Sequence, residues 1–126
     1  MRSAVQQLWT VGEDLCYTSQ NLAEFWNTCT RPAELNGYGL SIPEADRRAR
    51  LVEDQLTLLE DSKAVHLEWR KLVVVNSVSG AQVHGARLVA AMHVHSITHL
   101  LTFNVRDFAR YAGITPVHPQ AVASRS

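Results

Sequence analysis

Apolar and polar positions alternate in short blocks along the chain, and each block predicts an element. Ser3 to Val11 reads as the end of a helix closed by Gly12. Leu15 to Ser19 reads as a short strand. Gln20 to Thr30 places Leu22, Phe25, Trp26 and Cys29 at i, i+3, i+4 and i+7, the mark of one buried helical face. Arg31-Pro32 ends that helix, because the residue before proline is pushed out of the helical region. Asn36 to Gly39 is a loop with positions suited to positive φ. Ser41-Ile42-Pro43-Glu44 has the form of a capping box and opens a helix expected to run to about Glu60. Ala64 to Leu67 is a weak strand candidate, followed by a helix from Glu68 to Val75 and a loop over Ser77 to Gly80.

His84 to Val94 is almost wholly apolar and so reads as a buried helix. His99 to Phe103 reads as a strand, Val105 to Tyr111 as a short helix and Ile114 to Val117 as an edge strand. Pro116 suits only an edge or a bulge. Gln120 onward, small and polar, reads as a fraying tail. Helices alternating with short strands predict an α/β fold: three layers around a short parallel sheet. The domain is expected over residues 1–119, with 120–126 a flexible tail.

Composition narrows the function. The chain has 126 residues, 46% of them apolar, enough for one domain with a core. Twelve basic and twelve acidic residues balance. That argues against a strong non-specific nucleic-acid binder but leaves room for local contact with RNA. Cys16 and Cys29 fit no paired metal spacing and read as small core residues of a reducing compartment. No apolar run beyond Leu72–Val75 and no signal-peptide core are present, so a cytoplasmic chain without membrane contact is expected.

Candidate chemistry concentrates in Leu100-Leu101-Thr102-Phe103-Asn104-Val105-Arg106-Asp107-Phe108. A buried strand runs into a polar turn there, and ligands of open α/β sheets bind beyond strand carboxyl ends. Asn104-x-x-Asp107 also has the spacing of a capping box, a purely structural use of both residues. Glu24 falls opposite the Leu22/Phe25/Cys29 stripe, where a solvated carboxylate is ordinary. His93-Val94-His95 with His99 has no cysteine to complete a zinc site. Gly80 to Arg87 has the glycine spacing of a phosphate loop but lacks its Lys and Ser/Thr. Arg47-Arg48-x-Arg50, interleaved with Glu44, Asp46, Glu53 and Asp54, reads as a solvated helix face.

Four segments together resemble the PIN-domain ribonucleases, the family supplying many toxins of bacterial toxin–antitoxin pairs. They are Leu22-Ala23-Glu24-Phe25, the Thr30-Arg31-Pro32 to Ser41 loop, Val83-His84-Gly85-Ala86-Arg87-Leu88-Val89-Ala90-Ala91, and Leu101 to Phe108. The resemblance spans about Ala4 to Pro119. It implies a PIN-like sheet, Mg²⁺ or Mn²⁺ at its carboxyl edge, and cleavage of RNA. Glu24 and Asp107 become the catalytic carboxylates, and Glu24, Asn104 and Asp107 the metal ligands. Two departures stand out. The family's opening strand, which ends in Asp, has no counterpart after Met1, so the resemblance implies such a strand upstream and a marginal, aggregation-prone chain without it. Gly85 stands where the family has Asp, and an Asp restored there is expected to project toward Glu24 and Asp107. The resemblance thus implies an impaired endonuclease. A catalytically dead module that dimerises or binds an antitoxin-type protein, or a shortened gene product, stands beside it.

Overall fold

Thr18 closes the first strand and opens the second helix, which fixes the turn between them. Its hydroxyl accepts from the Asn21 backbone N–H (3.1 Å), and the Asn21 side chain accepts from the Thr18 N–H (2.9 Å). Two of the helix's first orphan donors are satisfied by this reciprocal pair. The computed structural model describes residues 2–123. In chain order the elements are α1 (Arg2–Thr10), β1 (Cys16–Thr18), α2 (Ser19–Thr30), α3 (Ile42–Gln55), β2 (Thr57–Leu59), α4 (Lys63–Val75), α5 (Gln82–Val94), β3 (His99–Leu101), α6 (Val105–Phe108), β4 (Thr115–Val117) and α7 (Pro119–Ala123), with a 3₁₀ turn at Ala33–Leu35.

The chain divides into two compact units where one domain over 1–119 is expected. Residues 14–60 form the smaller unit. β1 and β2 pair in parallel there, Cys16 against Thr57 through Thr18 against Leu59, and α2 packs on α3. Cys29, Ala45, Ala49 and Leu59 are buried. Phe25, expected on the buried face of α2, is 37% exposed, while Leu22 and Trp26 are half-buried. The loop after α2 folds back on the helix end. Tyr38, Gly39 and Leu40 donate backbone bonds to the carbonyls of Thr28, Arg31 and Cys29. Asn36 (φ 63°) and Gly39 (φ 59°) supply the positive φ expected of this loop. At Gly37 a β-carbon would fall 2.0 Å from the Arg31 carbonyl oxygen, so only glycine fits.

Three sequence expectations fail in the middle of the chain. The helix opened by Ser41 stops at Gln55 instead of about Glu60, and Thr57–Leu59 becomes β2. Ala64–Leu67, the weak strand candidate, is the first turn of α4, which starts at Lys63 rather than Glu68. Ser62 explains the second point: its hydroxyl accepts from the Val65 N–H (3.3 Å) and caps the helix five residues earlier than the apolar run suggests. Ser41 also caps α3 through the Glu44 N–H, but the Glu44 carboxylate turns to Arg47 and Arg48 instead of completing the box.

Residues 1–13 and 61–126 make up the larger unit. α4 packs along α5, and Ala86, Val89 and Ala90, all at 0% exposure, let the two helices approach closely. Val65, Leu72, Met92, Tyr111 and Ile114 complete the core. β3 and β4 pair in parallel, His99 against Thr115 to Leu101 against Val117. β3 ends two residues before Phe103, and α6 ends three before Tyr111. The expected fraying tail is helical up to Ala123: α7 packs on α1, and Val122, the one large apolar residue of the tail, is 2% exposed. Residues 124–126 of that tail lie outside the described residues. Among the described residues the parallel sheet of the α/β fold is present as two strand pairs, β1 with β2 and β3 with β4.

Candidate functional site

β3 delivers the chain into a turn whose geometry is set by Thr102. The Thr102 N–H donates to the Val117 carbonyl (2.9 Å), extending the strand pairing by one bond. Its hydroxyl accepts from the Asn104 N–H (3.0 Å). Asn104 is the N-cap of α6 by position, and its carbonyl accepts from the Asp107 N–H (3.1 Å). Its side chain makes no cap hydrogen bond, so the capping-box reading of Asn104 and Asp107 does not hold. With ψ at 58° the Asn104 backbone is outside the extended range that N-caps use. Asn104 and Asp107 are exposed beyond the carboxyl end of a parallel strand.

Glu24 belongs to the smaller unit. It is exposed on α2, and its backbone carbonyl accepts from the Thr28 hydroxyl (3.1 Å). Beyond β1 in that unit lies a groove of about 320 Å³ lined by Tyr17, Leu22, Ala23, Trp26, Glu53 and Leu58, without Glu24. Within the larger unit the turn after β3 offers one carboxylate, Asp107, and one amide, Asn104. Among the described residues no group of three or more His, Cys, Asp or Glu is placed to hold a metal ion.

Gly85 does not face an open pocket. A β-carbon there would lie 3.3 Å from Cε1 and 3.4 Å from Cζ of Phe108. A side chain at this position would therefore start in tight contact with the ring of Phe108, the residue after Asp107.

Of the histidines singled out in the sequence, His93 serves structure. His93 sits between two acceptors: Nδ1 is 3.2 Å from a Glu68 carboxylate oxygen and Nε2 2.9 Å from the Ala112 carbonyl. It ties α5 to α4 and to the approach to β4. Both cysteines are free thiols. Burial, and secondarily the Asp14 carboxylate, push the Cys16 thiol above its usual value, so it is a poor nucleophile.

One feature escaped the sequence reading. Asp61, His66, Trp69 and Arg87 line a cleft of about 700 Å³ in the larger unit. The spacing of Ser62, His66 and Trp69 on one helical face was the available signal, hidden because this segment reads as a strand. Among the described residues no helix is long and apolar enough to cross a membrane. Comparison with known protein families, curated proteins and solved structures finds no match to this chain.

Proposed function

We propose that this chain is a PIN-like, RNA-directed domain whose hydrolytic site is degenerate, with Asn104 and Asp107 the remnant that the larger unit carries and Glu24, in the smaller unit, a catalytic carboxylate by the resemblance alone. The observation that carries the reading is the Thr102–Asp107 turn. A threonine hydroxyl pins the Asn104 backbone, and that leaves an amide and a carboxylate exposed past the end of a parallel strand. The order of elements, helix–strand–helix repeated through both units, supports the same reading.

The donor set falls short of a Mg²⁺ or Mn²⁺ site. Such an ion prefers several hard oxygens in octahedral array and gives up water reluctantly. One carboxylate and one amide on a solvent-exposed turn do not meet that demand, and position 85 adds nothing. No cleavage step is therefore assigned to a metal here. The expected result with purified protein, excess Mn²⁺ and a mixed RNA pool is cleavage at background. Robust cleavage that disappears in Glu24→Ala would overturn the degenerate-site reading and restore the active one.

The second reading is a binding module for an antitoxin-type protein or a second copy of the chain. It is favoured by exposed apolar side chains in the smaller unit: Leu35, Tyr38 and Ile42 are 62%, 69% and 59% exposed. Their replacement by serine should leave RNA contact intact and abolish any partner binding that this reading requires.

A further inference from the structure

The cleft in the larger unit has the parts of a nucleotide site. One wall is the start of α4, where Ser62, His66 and Trp69 follow one helical face. The other is the start of α5, with Val83, His84 and Arg87. The Trp69 indole N–H donates to the Val83 carbonyl (2.9 Å), which locks the indole plane between the two helices. The His66 ring lies 6.1 Å from it, tilted by 41°. At the mouth, the Arg87 guanidinium pairs with the Asp61 carboxylate, and both side chains are more than half exposed. Ion pairs this exposed contribute only about 0–1 kcal/mol. The pair with Asp61 therefore holds Arg87 only weakly, which leaves its guanidinium able to turn to a phosphate. Asp61 stays oriented when that happens, because its other oxygen accepts from the Ser62 N–H (3.0 Å).

A fixed aromatic face, a releasable guanidinium and an anchored carboxylate stand around one cavity. They complement in turn a base, a phosphate and a ribose hydroxyl. We propose that this cleft binds a nucleoside 5′-monophosphate group, either free or as one residue of single-stranded RNA. RNA as a source rests on the function proposed above; the chemistry of the cleft does not. Glu24, Asn104 and Asp107 take no part in its lining.

The test is titration of the ¹⁵N-labelled chain with AMP, adenosine, inorganic phosphate and a short oligoadenylate. The Trp69 indole N–H resonance is the reporter, assigned by its loss in Trp69→Phe. AMP should move that resonance and bind about tenfold or more tightly than adenosine or phosphate, the factor expected of one charge-assisted contact. Arg87→Gln, an exposed replacement that leaves the core untouched, should remove the advantage of AMP over adenosine. Oligoadenylate binding more tightly than AMP assigns the site to RNA, and the reverse assigns it to free nucleotide. Equal binding of phosphate and AMP, an unmoved Trp69 resonance, or unchanged AMP affinity in Arg87→Gln would each overturn the proposal. Glu24→Ala and Asp107→Ala should leave these titrations unchanged, so failure of the hydrolytic reading and failure of the cleft are told apart.

Discussion

Gly85 shows how a single position can be legible in one respect and hidden in another. Its departure from the acidic residue of the family pattern is visible in the sequence. The reason glycine is tolerated is not, because the Phe108 ring that occupies the space comes from a different helix. Replacing Gly85 by alanine adds about 1 kcal/mol of helix propensity. It also needs Phe108 to give by a few tenths of an ångström, and overpacking costs about 1–3 kcal/mol. Gly85→Ala should therefore be close to neutral. Gly85→Asp should lose about 1–3 kcal/mol, since its carboxylate is driven against an aromatic ring and loses water. Phe108→Leu in the same chain should recover most of that loss. Thermal melts of these variants with and without Mn²⁺ check the account. A rise in Tm that appears only for Gly85→Asp with Mn²⁺ would show that position 85 faces a metal pocket after all. Asn104 carries the same lesson: its N-cap position was readable, but the backbone angle that keeps its side chain out of the cap was not.

At the scale of elements, the apolar pattern and turn signals found the long helices and the strands β1, β3 and β4, and missed β2. α2 was readable from apolar positions that recur at helical spacing, α3 from the capping residues at Ser41–Glu44, and α5 from its long apolar run. β2 spans three residues, too few to show a period of two, and it follows α3 after a single residue. The start of α4 was misread because Ala64-Val65-His66-Leu67 looks strand-like until the Ser62 cap is given weight. The same first-turn chemistry gives α3 its electrostatics. Hydrogen bonds from Arg47, then Arg48, hold the Glu44 carboxyl down at about 2 from its ordinary 4.5. A carboxyl depressed by folding contributes stability that is complete above the unfolded value of 4.5 and disappears as pH falls through about 2. The pair is exposed, so salt should weaken it. A carbon-detected NMR titration should place the Glu44 midpoint well below its ordinary 4.5 at low ionic strength. Arg47→Gln should bring it back toward 4.5. A Glu44 midpoint unaffected by Arg47→Gln would mean that the ion pair does not persist in solution.

The whole molecule was legible as α/β, but not as two units, because composition does not change at residue 14 or residue 60. The difference between the units lies in what they bury. The larger has a connected core of Val65, Leu72, Val89, Met92, Tyr111 and Ile114 packed around the alanines of α5, and His93 and Trp69 tie α4 to α5 by hydrogen bonds. The smaller buries chiefly Cys29, Ala45 and Ala49, side chains that remove little apolar area from water, and adds Leu59. At about 25 cal/mol per Å² of apolar surface, three small side chains stabilise far less than the large ones of the other core. Segments of low apolar burial open at lower free energy than the global transition. Amides of α2 and α3 should therefore exchange before those of α4 and α5 in native-state hydrogen exchange. The gap should be about 1–3 kcal/mol, the worth of burying one large apolar side chain. Leu59→Ala should widen it, since it removes the one large buried side chain of β2. Equal protection across both units, falling together in Leu59→Ala, would show instead that the two open as one cooperative body.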